Sequence, residues 1–448
     1  MVVSARLLML TASLGALTLS TTSCMSAAPP TATPPASWTP VDGSTGQITD
    51  VAELGRLAEQ FPNSASLQRR ILGAVLRAQN ADAARGALQR LADMGYALRA
   101  DSIASLAPRI GEAAAALAEE RAMRARQPFG TSAVVATIGP QHRLIEGLAW
   151  DTKRQRLFVS SVVDRALLVM DGNRGRKIAA VEAGSLFGLA IDEPRRILWI
   201  GSGAVDPTPE PATAFRGLIG YHLDREQVVA RIAAPANAQA PADLAIGPEG
   251  SVYVSDSLGG AIYALRPGAA AMETLVAAGA LSSPQGIAAH PDGRRLYVAD
   301  YDYGIAIVDI ASGVVRRLAA RVPMMLDGVD GLLWDDGYLV AIQNGTDPRR
   351  ILRIALDSSG THATTFSVIE QANPQWGEPT IGQIVGHELM YVSDPQWERF
   401  GPGGKLIGIE ALRPNRVRIV PLRGGDEPAR AEPSQPLRCH EIASHFPR

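Results

Sequence analysis

The feature that most constrains this chain is a phrase that recurs from Gly130 onward. Each copy has a variable residue, then in most copies glycine, then Leu or Ile and often a small residue. Several copies run into an Asp-x-Gly or Pro-x-Gly turn, and a β-rich strand follows. The copies are Ile145-Glu146-Gly147-Leu148-Ala149-Trp150-Asp151, Phe187-Gly188-Leu189-Ala190-Ile191-Asp192, Ala242-Asp243-Leu244-Ala245-Ile246, Gln285-Gly286-Ile287-Ala288 and Asp330-Gly331-Leu332-Leu333-Trp334-Asp335. Glu378-Pro379-Thr380-Ile381-Gly382 is a looser sixth. The strands that follow read LFVSS, LWIGS, VYVSD, LYVAD, LVAIQ and MYVSD. A period of roughly 40 to 55 residues with about four short strands per unit is propeller spacing. The predicted fold class is therefore mostly β, a six-bladed β-propeller over residues 129–448. Ala133–Ile138 has no partner in its own repeat, so it is expected to complete the last blade and close the ring. Closure removes open sheet edges. Asp292-Gly293 and Asp336-Gly337 suit the positive φ of tight hairpins.

In a propeller the innermost strands line the axial channel. The residue before the repeated glycine is expected to project toward that axis, and the glycine to allow close backbone approach. The axial set is then Glu146, Phe187, Ala242, Gln285, Asp330 and Pro379, or its neighbours Glu378 and Thr380. Two carboxylates and an amide from separate blades are all-oxygen donors, which suit a hard divalent cation such as calcium. A hydrogen-bonded pair that only staples blades is the alternative for Glu146 and Asp330. Asp327, which precedes Gly328, competes with Asp330 for the same phrase. The spacing to the strand YLVAI favours Asp330.

The phrases "IEGLAWD", "SSPQGIAAHPDGRRLYVAD" and "VDGLLWDDGYLV" resemble the senescence marker protein, gluconolactonase and luciferin-regenerating enzyme family over about residues 130 to 410. The resemblance implies a divalent metal held by Glu146, Gln285 and Asp330, with Asp330 also serving as catalytic base. The metal polarises a lactone carbonyl and activates water. Gln285 stands where the family has asparagine, and Ala242 where a substrate-binding asparagine is usual. Phe187 adds bulk to the axis. The function so implied is metal-dependent lactone hydrolysis on a small molecule. The alternative is a non-catalytic propeller that binds a ligand or a protein.

The other polar residues read more plainly. Asp256, Asp300 and Asp394 follow the strand phrase, where they either line the channel mouth or cap turns. Trp376 and Trp397, with Gln396 and Phe400, fall near the sixth unit, as packing residues or as the floor of an entrance. The proline-rich stretch 205–216 reads as a surface loop. His142, His222, His290, His387, His440 and His445 are scattered without metal-ligand spacing.

Ahead of the repeats the pattern changes. Residues 1–24 have the parts of a secretory signal: Arg6, the apolar run Leu7–Leu19 and small polar residues before Cys24. The apolar run is shorter than the roughly 20 residues a bilayer-spanning helix needs. Cys24 after Ser23 resembles a bacterial lipobox, which implies acylation at Cys24, attachment to a membrane and a place in the cell envelope. Cleavage near Ala27 or Ala28 into a secreted protein is the alternative. Residues 25–46 are rich in Pro, Thr and Ala and read as an extended tether. Residues 47–128 have a period near 3.6 and are expected to form a small all-α domain. Asp50 should cap its first helix and Asp82 open its third. Its helix-turn-helix spacing resembles a degenerate tetratricopeptide-type repeat, which implies a protein partner; a plain bundle is the alternative. Cys24 and Cys439 are the only cysteines, too few for a disulfide framework. Lys and Arg number 43 against 45 Asp and Glu, a balance that gives no basic footprint for nucleic acid.

Overall fold

The structure, a computed structural model, describes residues 36–422 apart from 179, 180 and 182. The signal segment with Cys24, the tether up to residue 35, and Cys439, His440 and His445 lie outside the described residues.

Among the described residues the chain is mostly β, with six sheets of four or five strands built on antiparallel neighbours, one two-stranded hairpin and five α-helices. The first five sheets begin at Ile145–Asp151, Ser185–Asp192, Pro241–Ile246, Pro284–Ala289 and Val329–Asp335, and their main strands follow in chain order. The sixth contains Gly382–Val385, Glu388–Val392 and Asn415–Pro421, and its fourth strand is Ala133–Ile138. Ala133 pairs with Ile419 and Ile138 with Asn415, so the early strand completes the last sheet as the sequence predicts. The first strands of the six sheets touch in a cycle, each against the next and the sixth against the first.

The repeated glycine makes that cycle possible. A Cβ at Gly147 would stand 2.1 Å from the Phe187 carbonyl oxygen, and one at Gly286 would stand 2.3 Å from the Leu332 nitrogen. At these two glycines the neighbouring inner strands meet backbone to backbone, where a side chain would wedge them apart. Five of the six inner strands also shift register at the repeated phrase: between Ile145 and Leu148, Leu186 and Leu189, Pro241 and Leu244, Pro284 and Ile287, and Val329 and Gly331. A bulge re-aims the side chains it carries. Beyond the bulge the strands alternate normally. In Arg295–Asp300, Leu296 and Val298 enter one hydrophobic core while Tyr297 and Ala299 enter the next. One strand thereby glues two sheet interfaces.

The helices are α1 (Val51–Gln60), α2 (Ala65–Arg77), α3 (Ala81–Asp93), α4 (Ala100–Ile110) and α5 (Glu112–Ala125). Asp50 caps α1 as expected, accepting from the Glu53 amide at 2.9 Å. Asp82 does not open α3. Asn80 does, accepting from the Ala83 amide at 3.0 Å, and Asp82 falls in the first turn, where the helix dipole favours a carboxylate. Residues 36–46 of the expected tether are not extended away from the fold. Ala36 and Ser37 pair with Arg317 and Arg316 at the edge of the fourth sheet, and Val41 is buried. Trp38 donates Nε1 to the Ala280 carbonyl and packs its ring 4.9 Å from that of Phe61. The composition pointed to extended chain, but one tryptophan and one valine supply enough apolar surface to dock it.

The helical segment packs on the fourth sheet in a shared core: the Phe61 ring lies 5.0 Å from the Tyr303 ring. Asp327, on the connection into the fifth sheet, accepts the amides of Ala65 and Ser66 at 2.9 and 2.7 Å. It therefore serves the N-terminus of α2, where unpaired amides and the dipole favour an anion. Asp327 is spent on that helix, and the rivalry with Asp330 is resolved by where each side chain goes.

Candidate functional site

The five bulged residues Glu146, Phe187, Ala242, Gln285 and Asp330, with Glu378 from the segment before the sixth inner strand, line one cavity of about 350 Å³. At the sixth position it is Glu378, rather than Pro379 or Thr380, that lines the wall; Thr380 is fully buried. Sequence reasoning missed Asp243, Tyr301 and Ser257, which also face the cavity. Asp243 occupies the position of the repeated glycine, so the departure from glycine was itself the signal. Tyr301 and Ser257 stand one residue after the strand phrase. The aspartates before them do other work. Asp256 accepts the amides of Gln239, Ala240 and Gly259, and Asp300 those of Ser282, Asp302 and Tyr303. Asp394 pairs with Arg413 at 3.0 Å. All three cap or brace loops.

Each carboxylate of the predicted pair is held by a neutral donor. Trp397 gives Nε1 to Glu146 Oε2 at 2.8 Å, and Asn344 gives Nδ2 to Asp330 Oδ2 at 2.6 Å. Tyr301 donates its hydroxyl to Asn344 Oδ1 at 2.8 Å, which fixes the amide's orientation. Gln285 donates Nε2 to Ser283 Oγ at 3.0 Å, leaving Oε1 as its acceptor end. Burial, and then the charge of Asp330, push the Glu146 carboxyl well above the usual carboxylate range. Burial raises Asp330 to about 7 despite its bond from Asn344, with Glu378 adding repulsion. Asp243 is also raised to about 7 by burial, and Glu378 is raised by burial.

Four carboxylates thus share a small cavity whose lining includes no Lys, Arg or His. Such a site takes up either protons or a cation. The donor chemistry fits a hard divalent cation: Glu146, Gln285 and Asp330 offer oxygen only. The set is not a closed cage, since among the described residues no three His, Cys, Asp or Glu side chains are grouped to hold a metal ion. Water or a ligand would have to complete the coordination.

No protein-family model matches the chain. The tricorn protease homolog 1 of Streptomyces coelicolor (strain ATCC BAA-471 / A3(2) / M145) is 30% identical over 210 residues, which cover 44% of this chain and 19% of that protein. The chain therefore spans about a fifth of the length of the curated relative it matches. Among solved structures, the PQQ-bound aldose sugar dehydrogenase of Streptomyces coelicolor is 16% identical, with 66% of this chain and 99% of that one covered and a TM-score of 0.40. A luciferin-regenerating enzyme is 14% identical, with 65% and 95% covered and a TM-score of 0.44. A calcium-binding regucalcin of Agrobacterium tumefaciens is 17% identical, with 59% and 86% covered and a TM-score of 0.41. Likenesses at this level leave family and activity unassigned.

Proposed function

We propose that this chain is an exported six-bladed β-propeller with a small N-terminal helical domain, and that its axial cavity hydrolyses a lactone or related ester with the help of a divalent cation. The observation that carries this reading is four carboxylates converging on one axial cavity that no basic side chain lines. Glu146, Gln285 and Asp330 would hold the cation. When bound, it supplies a Lewis acid that polarises the ester carbonyl and acidifies water. Asp330 would take a proton from a water molecule as the water oxygen bonds to the carbonyl carbon. The proton then goes to the departing alkoxide, so ester and water yield acid and alcohol. Asn344 holds one oxygen of Asp330 and leaves the other as the proton acceptor, while Trp397 keeps Glu146 in place. Phe187 and Ile381 give the cavity apolar wall that limits competing water.

The test is metal content after exhaustive dialysis, together with lactone turnover by wild type and Asp330→Ala. Removing the base should lower kcat by about a hundredfold or more. Metal-free protein without turnover would sink the hydrolase reading, and equal turnover in the variant would sink the role of Asp330.

A second reading, a non-catalytic ligand-binding propeller with the helical segment as a further interaction surface, is favoured by two observations: the open donor set, and Ala242 in place of a polar axial residue. Saturable calcium-dependent ligand binding with no turnover would select it.

We further propose that Cys24 is acylated and anchors the chain in the cell envelope, from the apolar run and small residues that precede it. Metabolic labelling with palmitate should mark the wild type and not Cys24→Ala; an unlabelled wild type defeats the idea.

A further inference from the structure

The axial cavity has a neighbour. A second cavity of about 580 Å³ shares Tyr301 and Glu378 with it as common wall. The helical segment lines it through Tyr96 and Arg126, and Arg349 and Trp376 also line it. The two compartments differ in electrical character, although the outer one also holds the carboxylates of Asp347 and the shared Glu378. The inner one is lined by carboxylates and no basic group. The outer one has two guanidinium groups, of which Arg126 is matched by Asp347 at 2.7 Å. Arg349 is exposed, donates Nη1 to the Gly377 carbonyl at 2.6 Å, and forms no ion pair among the described residues.

We propose that the two cavities are halves of one ligand site, and that its ligand is a small ester carrying a carboxylate at the far end of its chain. The neutral, oxygen-bearing end enters the axial cavity and the carboxylate ends on Arg349. The reverse orientation would bring a further negative charge among four carboxylates, which outnumber the two positive charges of a bound divalent cation. Arg349 offers a planar set of N–H donors that match a carboxylate. Tyr96 also lines the outer cavity and limits chain length, so the helical segment acts as a ruler for the site the sheets provide. This inference rests on the axial cavity being a ligand site.

The experiment uses the whole protein and two homologous probe series, the ω-hydroxycarboxylates from hydroxybutyrate to hydroxyoctanoate and the matching diols. Binding is followed by tryptophan fluorescence, because Trp397 lines the inner compartment and Trp376 the outer. At the preferred length the acid should bind about ten-fold more tightly than the diol. Arg349→Gln should abolish that preference, Arg349→Lys should keep part of it, and Tyr96→Ala should shift the preferred length upward. Unchanged thermal midpoints in the Arg349 variants confirm that an exposed side chain was removed without loss of fold. Equal affinity for acid and diol, no binding of either series, or an acid affinity that survives Arg349→Gln each overturns the proposal. Repeating the titration with calcium chelated separates the two readings. If the cation reading alone fails, binding ignores calcium yet still depends on Arg349; if this inference alone fails, binding follows calcium and ignores Arg349.

Discussion

Asp243 shows how a single side chain can carry a record of its surroundings. It stands where the other phrases have glycine, and its Oδ1 accepts the neighbouring Leu244 amide at 2.8 Å. Burial raises its carboxyl to about 7, from the 3.8 it has when exposed. A carboxyl raised on folding binds its proton more tightly in the native state. Its contribution to stability is therefore complete below about pH 4 and is lost as pH rises through about 7. Wild type without added cation should lose stability between about pH 4 and pH 7 by an amount on the order of a few kcal/mol. Asp243→Asn should flatten that slope, as measured by denaturant unfolding at each pH. A slope identical in the two proteins would show that Asp243 does not titrate in this window. Added calcium should stabilise wild type more at the upper end of the range, where the cavity carboxylates are ionised.

At the scale of the element, the ring depends on one late-made seam. Ala133–Ile138 comes first in the chain yet completes the last sheet. A buried polar network fixes its entry. Ser132 donates to Glu370 Oε1 at 2.9 Å, and Tyr391 donates to Glu370 Oε2 at 2.8 Å. Trp376 gives Nε1 to the Tyr391 hydroxyl, and Arg418 donates to both the carbonyl and hydroxyl oxygens of Ser132. Residues from the fifth sheet, the sixth sheet and the closing strand thus meet on one carboxylate. Removing one partner leaves Glu370 buried and under-satisfied, which costs about 1–3 kcal/mol. Tyr391→Phe should lower the unfolding free energy by that amount. It should also speed hydrogen exchange in the closing strand before other strands are affected. Uniform acceleration around the ring would show that the seam is not the weak point.

At the scale of the molecule, the repeat was legible because its cause is local. Glycine, or a small residue with a bulge, is needed wherever inner strands crowd, and each crowding site rewrites the same phrase. Glu146, Gln285 and Asp330 could be named in advance for that reason. Their partners could not. Asn344 and Trp397 reach the two carboxylates across 14 and 251 residues of chain; Asn344 stands one residue after its strand phrase, as Ser257 and Tyr301 do, but the repeat does not mark it as the partner of Asp330, and Trp397 lies outside the phrases. Spacing to the strand YLVAI already favoured Asp330 over Asp327, but the helix N-terminus that occupies Asp327 lies 262 residues away in the chain. The docking of residues 36–46 and of the helical segment on the fourth sheet is of the same kind, since composition says only that such chain is extended or helical. By itself the sequence determined the repeat unit, the closing strand and several of the side chains that line the cavity, because alternation, turn chemistry and glycine spacing act over a few residues. Only the tertiary structure decided that four carboxylates share one cavity without a basic lining residue, and that Tyr96 and Arg126, from the segments that follow α3 and α5, wall its neighbour. Those are facts of burial and distance between segments far apart in the chain, and no local pattern encodes them.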